Sequence, residues 1–437
     1  MRDVIITLIV LASLPYAFKR PYIGVLMWVW ISVMNPHRLS WGFAYTFPFA
    51  MIIAAVTLLG VVFTKDPKKL PMTPVVVTLL TFALWMSFGE LFALFPTTEL
   101  LVRFLKVVLM TCVTIMVVKD KRQLHLLIWT LVGSLGYYGI KGGAFTVLSG
   151  GSFRVWGPEG TYIEGNNEVA LALITIIPIF YYLFLQATRR WERYGLGLAI
   201  LLCALAAIGS YSRGALLGLG AMALFLWLKS PNKMKLGLIM VLVIPAALAF
   251  MPSKWMERMD TIKEYKSDES AMGRINAWAM TFNLASDRPL VGGGFDIYNP
   301  PTFARYAPVP HDIHAAHSIY FQTLGEHGFV GLGMYLLLGL LSWRTGSRIV
   351  KTTKHRPDLK WASSLATMLQ VSMIGFATGG AFLSLLYFDV PYYLMAMMVI
   401  TGCIVEKELA AGKASEEALP VPPQSAPPVA YAARSSH

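Results

Sequence analysis

Apolar stretches of membrane-spanning length recur along the whole of this chain, and that recurrence constrains its fold more than any other feature. They fall at about 46–64, 72–95, 100–118, 123–140, 167–188, 194–211, 213–228, 236–250, 317–343, 359–385 and 390–404. The stretch from Val4 to Met34 is broken at Lys19-Arg20-Pro21, so it crosses either twice as short helices or once with an interfacial piece. With 56% hydrophobic and only 14% charged residues, the expectation is an all-α, polytopic integral membrane helical bundle of about 12 transmembrane helices, 13 being the alternative. No small-residue cleavage site follows the first segment, so no cleavable signal peptide is expected.

Lys and Arg gather in alternate connections: Lys65/Lys68/Lys69, Lys119/Lys121/Arg122, Arg189/Arg190/Arg193, Lys229/Lys233/Lys235, and Arg344/Arg348/Lys351/Lys354/Arg356/Lys360. Basic connections stay in the cytoplasm. The segment 141–166, the turn Ser210–Arg213 and the long loop 251–316 then lie on the outer side. That loop carries seven Lys and Arg against eight Asp and Glu, unlike the basic set. The expected organisation is an N-terminal bundle over 1–250, the long outer loop with short helices over 251–316, C-terminal transmembrane helices over 317–405, and a Pro-, Ala- and Ser-rich disordered cytoplasmic tail over 406–437. The net charge of +13 is mostly this topology signal; no soluble basic face offers itself to nucleic acid. Cys112, Cys203 and Cys403 fall inside apolar segments and read as small buried hydrophobes. No internal repeat supports an inverted-repeat transporter.

Polar residues on the outer side carry the chemistry. Arg213 stands in Gly209-Ser210-Tyr211-Ser212-Arg213-Gly214-Ala215, between two apolar segments with almost no loop. An arginine held at a membrane face is costly unless it meets an anion or a water-filled cavity, and its planar fork suits phosphate. Snorkelling to the headgroups is the plain alternative, but it requires neither a tight turn nor flanking serines. Arg274, in Gly273-Arg274-Ile275-Asn276-Ala277-Trp278, opens a stretch with Ile275, Trp278, Ala279 and Phe282 on one helical face. Such a helix suits the outer leaflet, with Arg274 in its first turn; a solvated helix end is the bland alternative. The glycines of Leu290-Val291-Gly292-Gly293-Gly294-Phe295 lack nucleotide-loop spacing and mark a tight backbone passage. Arg154, with Glu164, Asn166, Asn167 and Glu168 before the next spanning helix, reads as a turn or as a contact to sugar or phosphate. Asn167 is placed to cap that helix.

His311, His314 and His317 are three apart. On a helix, such positions drift by about 60° per step and converge poorly on one ion. An interfacial structural role is open, but proton transfer fits better, since an unperturbed imidazole titrates near neutrality. No metal site and no cofactor are expected.

Taken in order, Ser212-Arg213-Gly214, Gly273-Arg274 with Trp278, Pro289 with Gly292 and Gly294, His317-Ser318 with Gln322, and Glu326-His327-Gly328 with Gly331 resemble the O-antigen ligase/polymerase superfamily. Many members carry Asn where this chain has Ser318. Met34-Asn35-Pro36-His37-Arg38 and Trp41-Gly42 look like the branch of exosortase-associated O-glycosylation ligases. Each motif is weak alone, and their shared order around one long outer loop is the specific signal.

The resemblance implies a metal-independent glycosyltransferase of the bacterial inner membrane with its site facing the periplasm. An undecaprenyl diphosphate-linked glycan would be the donor and lipid A-core the acceptor, in lipopolysaccharide biosynthesis. A polymerase or a protein O-oligosaccharyltransferase using the same donor is the alternative, and a polysaccharide or lipid transporter the non-enzyme one, for which Gly379-Gly380 inside one segment is a thin hint. Carried over by position, His317 is the base and Arg213 and Arg274 the diphosphate ligands. Arg154, His314 and Asn167 complete the expected substrate-binding set.

Overall fold

A computed structural model describes residues 1–229, 232–260 and 269–417, and among these the chain is all-helical with no strand. The first apolar stretch is two elements, α1 (Arg2–Lys19) and α2 (Pro21–Val29), the latter prolonged by a π-turn over Trp30–Met34. Pro21 has no N–H to continue the ladder, and a helix start is where that loss costs least. Then come α3 (Phe49–Phe63), α4 (Pro74–Glu90), α5 (Thr98–Val117) and α6 (Lys121–Leu148). Asp120 caps α6 by accepting the Gln123 amide at 2.8 Å.

Helix α6 runs through Lys141-Gly142-Gly143, which the sequence had placed in an outer segment. Its glycines serve packing rather than turning: a Cβ on Gly143 would lie 2.2 Å from the Leu202 carbonyl oxygen, and one on Gly139 would lie 2.3 Å from Cys203 Sγ. Small residues let helices approach in lipid, where dispersion replaces the hydrophobic drive. The partner is α8 (Arg190–Gly209). Cys112 and Cys203 are buried and Cys403 half-buried, all as free thiols.

Helix α7 (Asn166–Gln186) lies at the centre, packed by α6, α8, α9 (Arg213–Lys229) and α15 (Lys360–Gly380). The long connection holds α11 (Ser253–Asp260), α12 (Glu269–Asp287) and α13 (Pro300–Tyr306) after α10 (Lys233–Ala249). Its middle, 261–268, lies outside the described residues, as does 418–437 of the tail. The last helices are α14 (Ile319–Thr352), α15 and α16 (Asp389–Glu417). Helix α16 continues to Glu417, into the segment expected to be unstructured from 406 onward.

Four of the described helices are long and apolar enough to cross a membrane: α5, α7, α8 and α14. Pro21–Met34, Phe49–Phe63 and Pro74–Glu90 are shorter apolar helices. Large apolar side chains stand exposed on α1, α3, α4, α8 and α9, among them Leu8, Met51, Leu84, Leu198 and Leu224. An apolar surface so extensive is stable against lipid and not against water. The chain is an integral membrane protein.

The long connection is fastened into the bundle at a break in α14, among other contacts. Gly328, at φ 70° and ψ −174°, breaks α14 and frees carbonyls that a continuous helix would use. The glycine passage 289–294 takes up the freed groups: Gly293 and Gly294 donate their amides to the carbonyls of Gly325 and Glu326 at 2.9 and 3.0 Å, and Phe329 donates to Pro289 at 2.9 Å. Broken helices persist in membranes when another segment satisfies them in this way. Gly292 at φ +64° can only be glycine here, because a Cβ would lie 2.6 Å from the Gly325 carbonyl oxygen.

Candidate active site

The site is assembled by α12. Asn276 clamps the chain that follows α13: its amide donates to the carbonyls of Val309 and Asp312 at 2.8 and 2.9 Å, and its oxygen accepts the Val309 N–H at 2.9 Å. Two residues on, Trp278 donates its indole N–H to the Ala316 carbonyl at 2.6 Å and stacks on Phe321 at 4.9 Å between centroids. These contacts hold 309–317 as a non-helical strap across α12, with a turn at 310–311. The histidine run is therefore not helical, and the i, i+3 geometry drawn from its spacing does not apply.

Arg274, half-buried in the second turn of α12 rather than its first, sits between the Asn276 clamp and the helix start. The buried residues of this helix include Asn276, Ala277, Met280, Thr281 and Leu284, while Ile275 and Phe282 stay exposed. The face read as its apolar stripe is thus largely the outward one. His314 lies over Gly273, where a Cβ would come within 2.4 Å of its ring, and its Nε2 is 2.8 Å from Asp312 Oδ1.

His317 ends the strap with φ +44°, a left-handed conformation that few non-glycine residues adopt. Ser318 next to it caps α14, accepting the Phe321 amide at 3.5 Å, so the helix begins at Ile319 and His317 stands just outside it. Burial, helped by the Arg274 cation and then by His314, holds the His317 imidazole down at about 4. Arg274 also acts electrostatically on Glu168, whose carboxylate folds back over Gly165 at the start of α7. Arg274, His317, His314 and Glu168 thus share one neighbourhood.

Arg213 is on the adjoining turn. It is the first residue of α9, and Ser212 caps that helix by accepting the Ala215 amide at 3.2 Å. Tyr211 bends the turn at φ +62° and anchors it by donating its hydroxyl to the Gly151 carbonyl at 2.7 Å. Asn166 joins this turn to the start of α7, donating to the Ser210 carbonyl at 2.7 Å. The start of α9, which carries Arg213, and the start of α14, next to His317, both bear on one end of α15, since Gly214 abuts Phe382 and Gly379, and Ile319 abuts Gly380. Gly379-Gly380 therefore ends a helix at the site and does not interrupt one at mid-membrane. Arg154 is exposed and lies over the Tyr211 ring, 5.6 Å from its centroid.

Other expected residues take different places. Asn167 is inside the first turn of α7; the cap position belongs to Gly165, with no side-chain cap. His311 is exposed on the strap. His327 is buried, its Nε2 2.8 Å from the Tyr387 hydroxyl, in a network where Tyr387 donates to Glu326 and Gln322 donates to Glu326 at 3.1 Å. That network lies under the glycine passage and supports the break in α14. Among the described residues no three His, Cys, Asp or Glu side chains gather as a metal set.

A strained histidine, a carboxylate and the segments that carry two arginines are thus collected at one end of an all-helical membrane protein. Residues 198–336 match the family model described as O-antigen ligase, and residues 1–188 match a family of unknown function (DUF5935). The first of these regions contains Arg213, Arg274 and His317, and its match supports membership of the O-antigen ligase superfamily of ligase- and polymerase-type glycosyltransferases. No curated protein matches the chain.

Proposed function

We propose that this protein is an O-antigen ligase of the bacterial inner membrane, moving a glycan from undecaprenyl diphosphate to a sugar hydroxyl of lipid A-core at the periplasmic face. The observation that carries this reading is the convergence of Arg274 on His317, with the Arg213 turn beside them. In the proposed step the neutral imidazole of His317 takes the proton of the acceptor hydroxyl as its oxygen bonds to the anomeric carbon. The bond from that carbon to the diphosphate oxygen breaks, and undecaprenyl diphosphate leaves with the electron pair. Attack opposite the leaving group inverts the anomeric centre. Arg274 and Arg213 bind the diphosphate and stabilise its growing charge without a metal. His314, Arg154 and Asn167 are assigned to the rest of the substrate path.

The four long apolar helices, with the shorter ones, are taken to give about twelve crossings. The Lys- and Arg-rich connections support a cytoplasmic position for the opposite end. The test is transfer in vitro, with purified protein, lipid-linked glycan and lipid A-core. Formation of the joined product, dependent on His317, supports the reading. Transfer only onto another lipid-linked repeat, or only onto a protein acceptor, would replace the ligase assignment with one of its relatives.

A further inference from the structure

At the end of the bundle opposite the Arg274–His317 site, a cavity of about 330 Å³ opens where five helices meet. It is bounded by the α1–α2 junction, the ends of α3 and α5, and the start of α6. Its polar lining includes Arg20, Lys68, Lys119 and Arg122, with two carboxylates, Asp66 and Asp120. Asp120 is engaged as the cap of α6. Lys68 and Lys119 are held over the cavity by donating to the backbone carbonyls of Val62 and Pro67, the latter at 2.7 Å. Those anchors cost the ammonium groups none of their charge. Val61, Met116, Val117 and Leu126 supply an apolar wall on the helix flanks, and Val62 and Phe63 beside them stand exposed.

We propose that this cavity binds the phosphate headgroup of an anionic membrane phospholipid, with the acyl chains running down the apolar wall. A cationic recess bounded by helix ends at the depth of the headgroups is the arrangement that recognises such lipids. Two guanidinium groups with Tyr22, Thr64 and Gln123 in the same lining offer the donors a phosphodiester needs. A zwitterionic lipid brings a choline cation into the same recess and is disfavoured. The site is independent of glycan transfer, and in the orientation proposed above it faces the inner leaflet.

The test is native mass spectrometry of the full-length protein in detergent, titrated with phosphatidylglycerol and, separately, with phosphatidylcholine. Phosphatidylglycerol should give a tight one-lipid adduct that phosphatidylcholine does not. Arg20→Gln with Arg122→Gln should weaken that adduct roughly thirtyfold, the scale of two basic contacts to an anionic lipid. Lys351→Gln with Lys354→Gln removes the same charge at the same end but outside the cavity, and should change it less than about threefold. Should the arginine pair fail to fold, Arg122→Gln alone carries the test, with a loss of about fivefold. Equal losses in the two double variants, equal binding of phosphatidylcholine, or displacement of the adduct by millimolar inorganic phosphate would each overturn the proposal.

Discussion

His317 is set apart from its neighbours by backbone as much as by side chain. Its left-handed φ is held by the strap on one side and the Ser318 cap on the other, and strain of this kind persists where the surroundings over-determine it. His317→Ala should lower transfer by roughly 10²–10⁴, the range for loss of a general base. His311→Ala should be mild, because His311 is exposed. Near-normal transfer by His317→Ala, with loss in His314→Ala, would move the base to the other strap histidine. The depressed pKa gives a second test. Base function needs neutral imidazole, so the acid limb of kcat/KM should fall near 4, well below the 6.5 of an unperturbed histidine. In Arg274→Gln the residual activity should show that limb moved upward, since one cause of the depression is gone. Stability follows the same linkage: between about 6.5 and 4 the unfolded chain binds a proton that folded His317 refuses, so acidification through this window destabilises the fold. Arg213→Lys should also be poorly active, because an ammonium cannot reproduce a bidentate fork. Wild-type rates there would leave Arg213 a snorkelling residue.

At the scale of elements, apolar length alone located most of the helices, and the Arg213 turn stood out because an arginine flanked by serines and glycines between two such segments is unusual. What sequence could not give were contacts between distant elements. The Asn276 clamp joins residues more than thirty apart, and without it His311, His314 and His317 look like successive turns of one helix. Gly142 and Gly143 looked like turn residues because close helix approach and turning call for the same small residue. Asn167 looked like a cap since it is a good one, but Gly165 begins the helix and Asn166 is engaged with Ser210. The glycine passage makes an element-level prediction. Gly292→Ala combines positive φ with a clash on the Gly325 carbonyl, and should destabilise by about 1–3 kcal/mol. Gly133→Ala, where an added Cβ meets nothing within 4 Å, should leave the melting temperature in detergent unchanged or slightly higher.

For the whole molecule, two measurements bear on orientation and cofactor use. A reporter active only in the cytoplasm should be silent when inserted beside Asp296 and active beside Arg189; the reverse pattern would invert the topology. Turnover should survive EDTA, as arginines are assigned the charge that a divalent ion would otherwise meet. If EDTA abolished transfer and Mg²⁺ or Zn²⁺ restored it, the diphosphate assignment would fall. The hairpin of 289–294 set into the gap of α14 bears on how such proteins diversify. Its backbone amides fit carbonyls freed by one particular kink, and Leu94 of the α4–α5 connection donates to the Gly293 carbonyl at 2.9 Å. The 251–316 segment is therefore not an interchangeable cassette. A chimera that grafts another family member's 251–316 onto this bundle should misassemble unless residues 90–97 and 325–329 travel with the graft, so the segment is altered in place more readily than by swapping it.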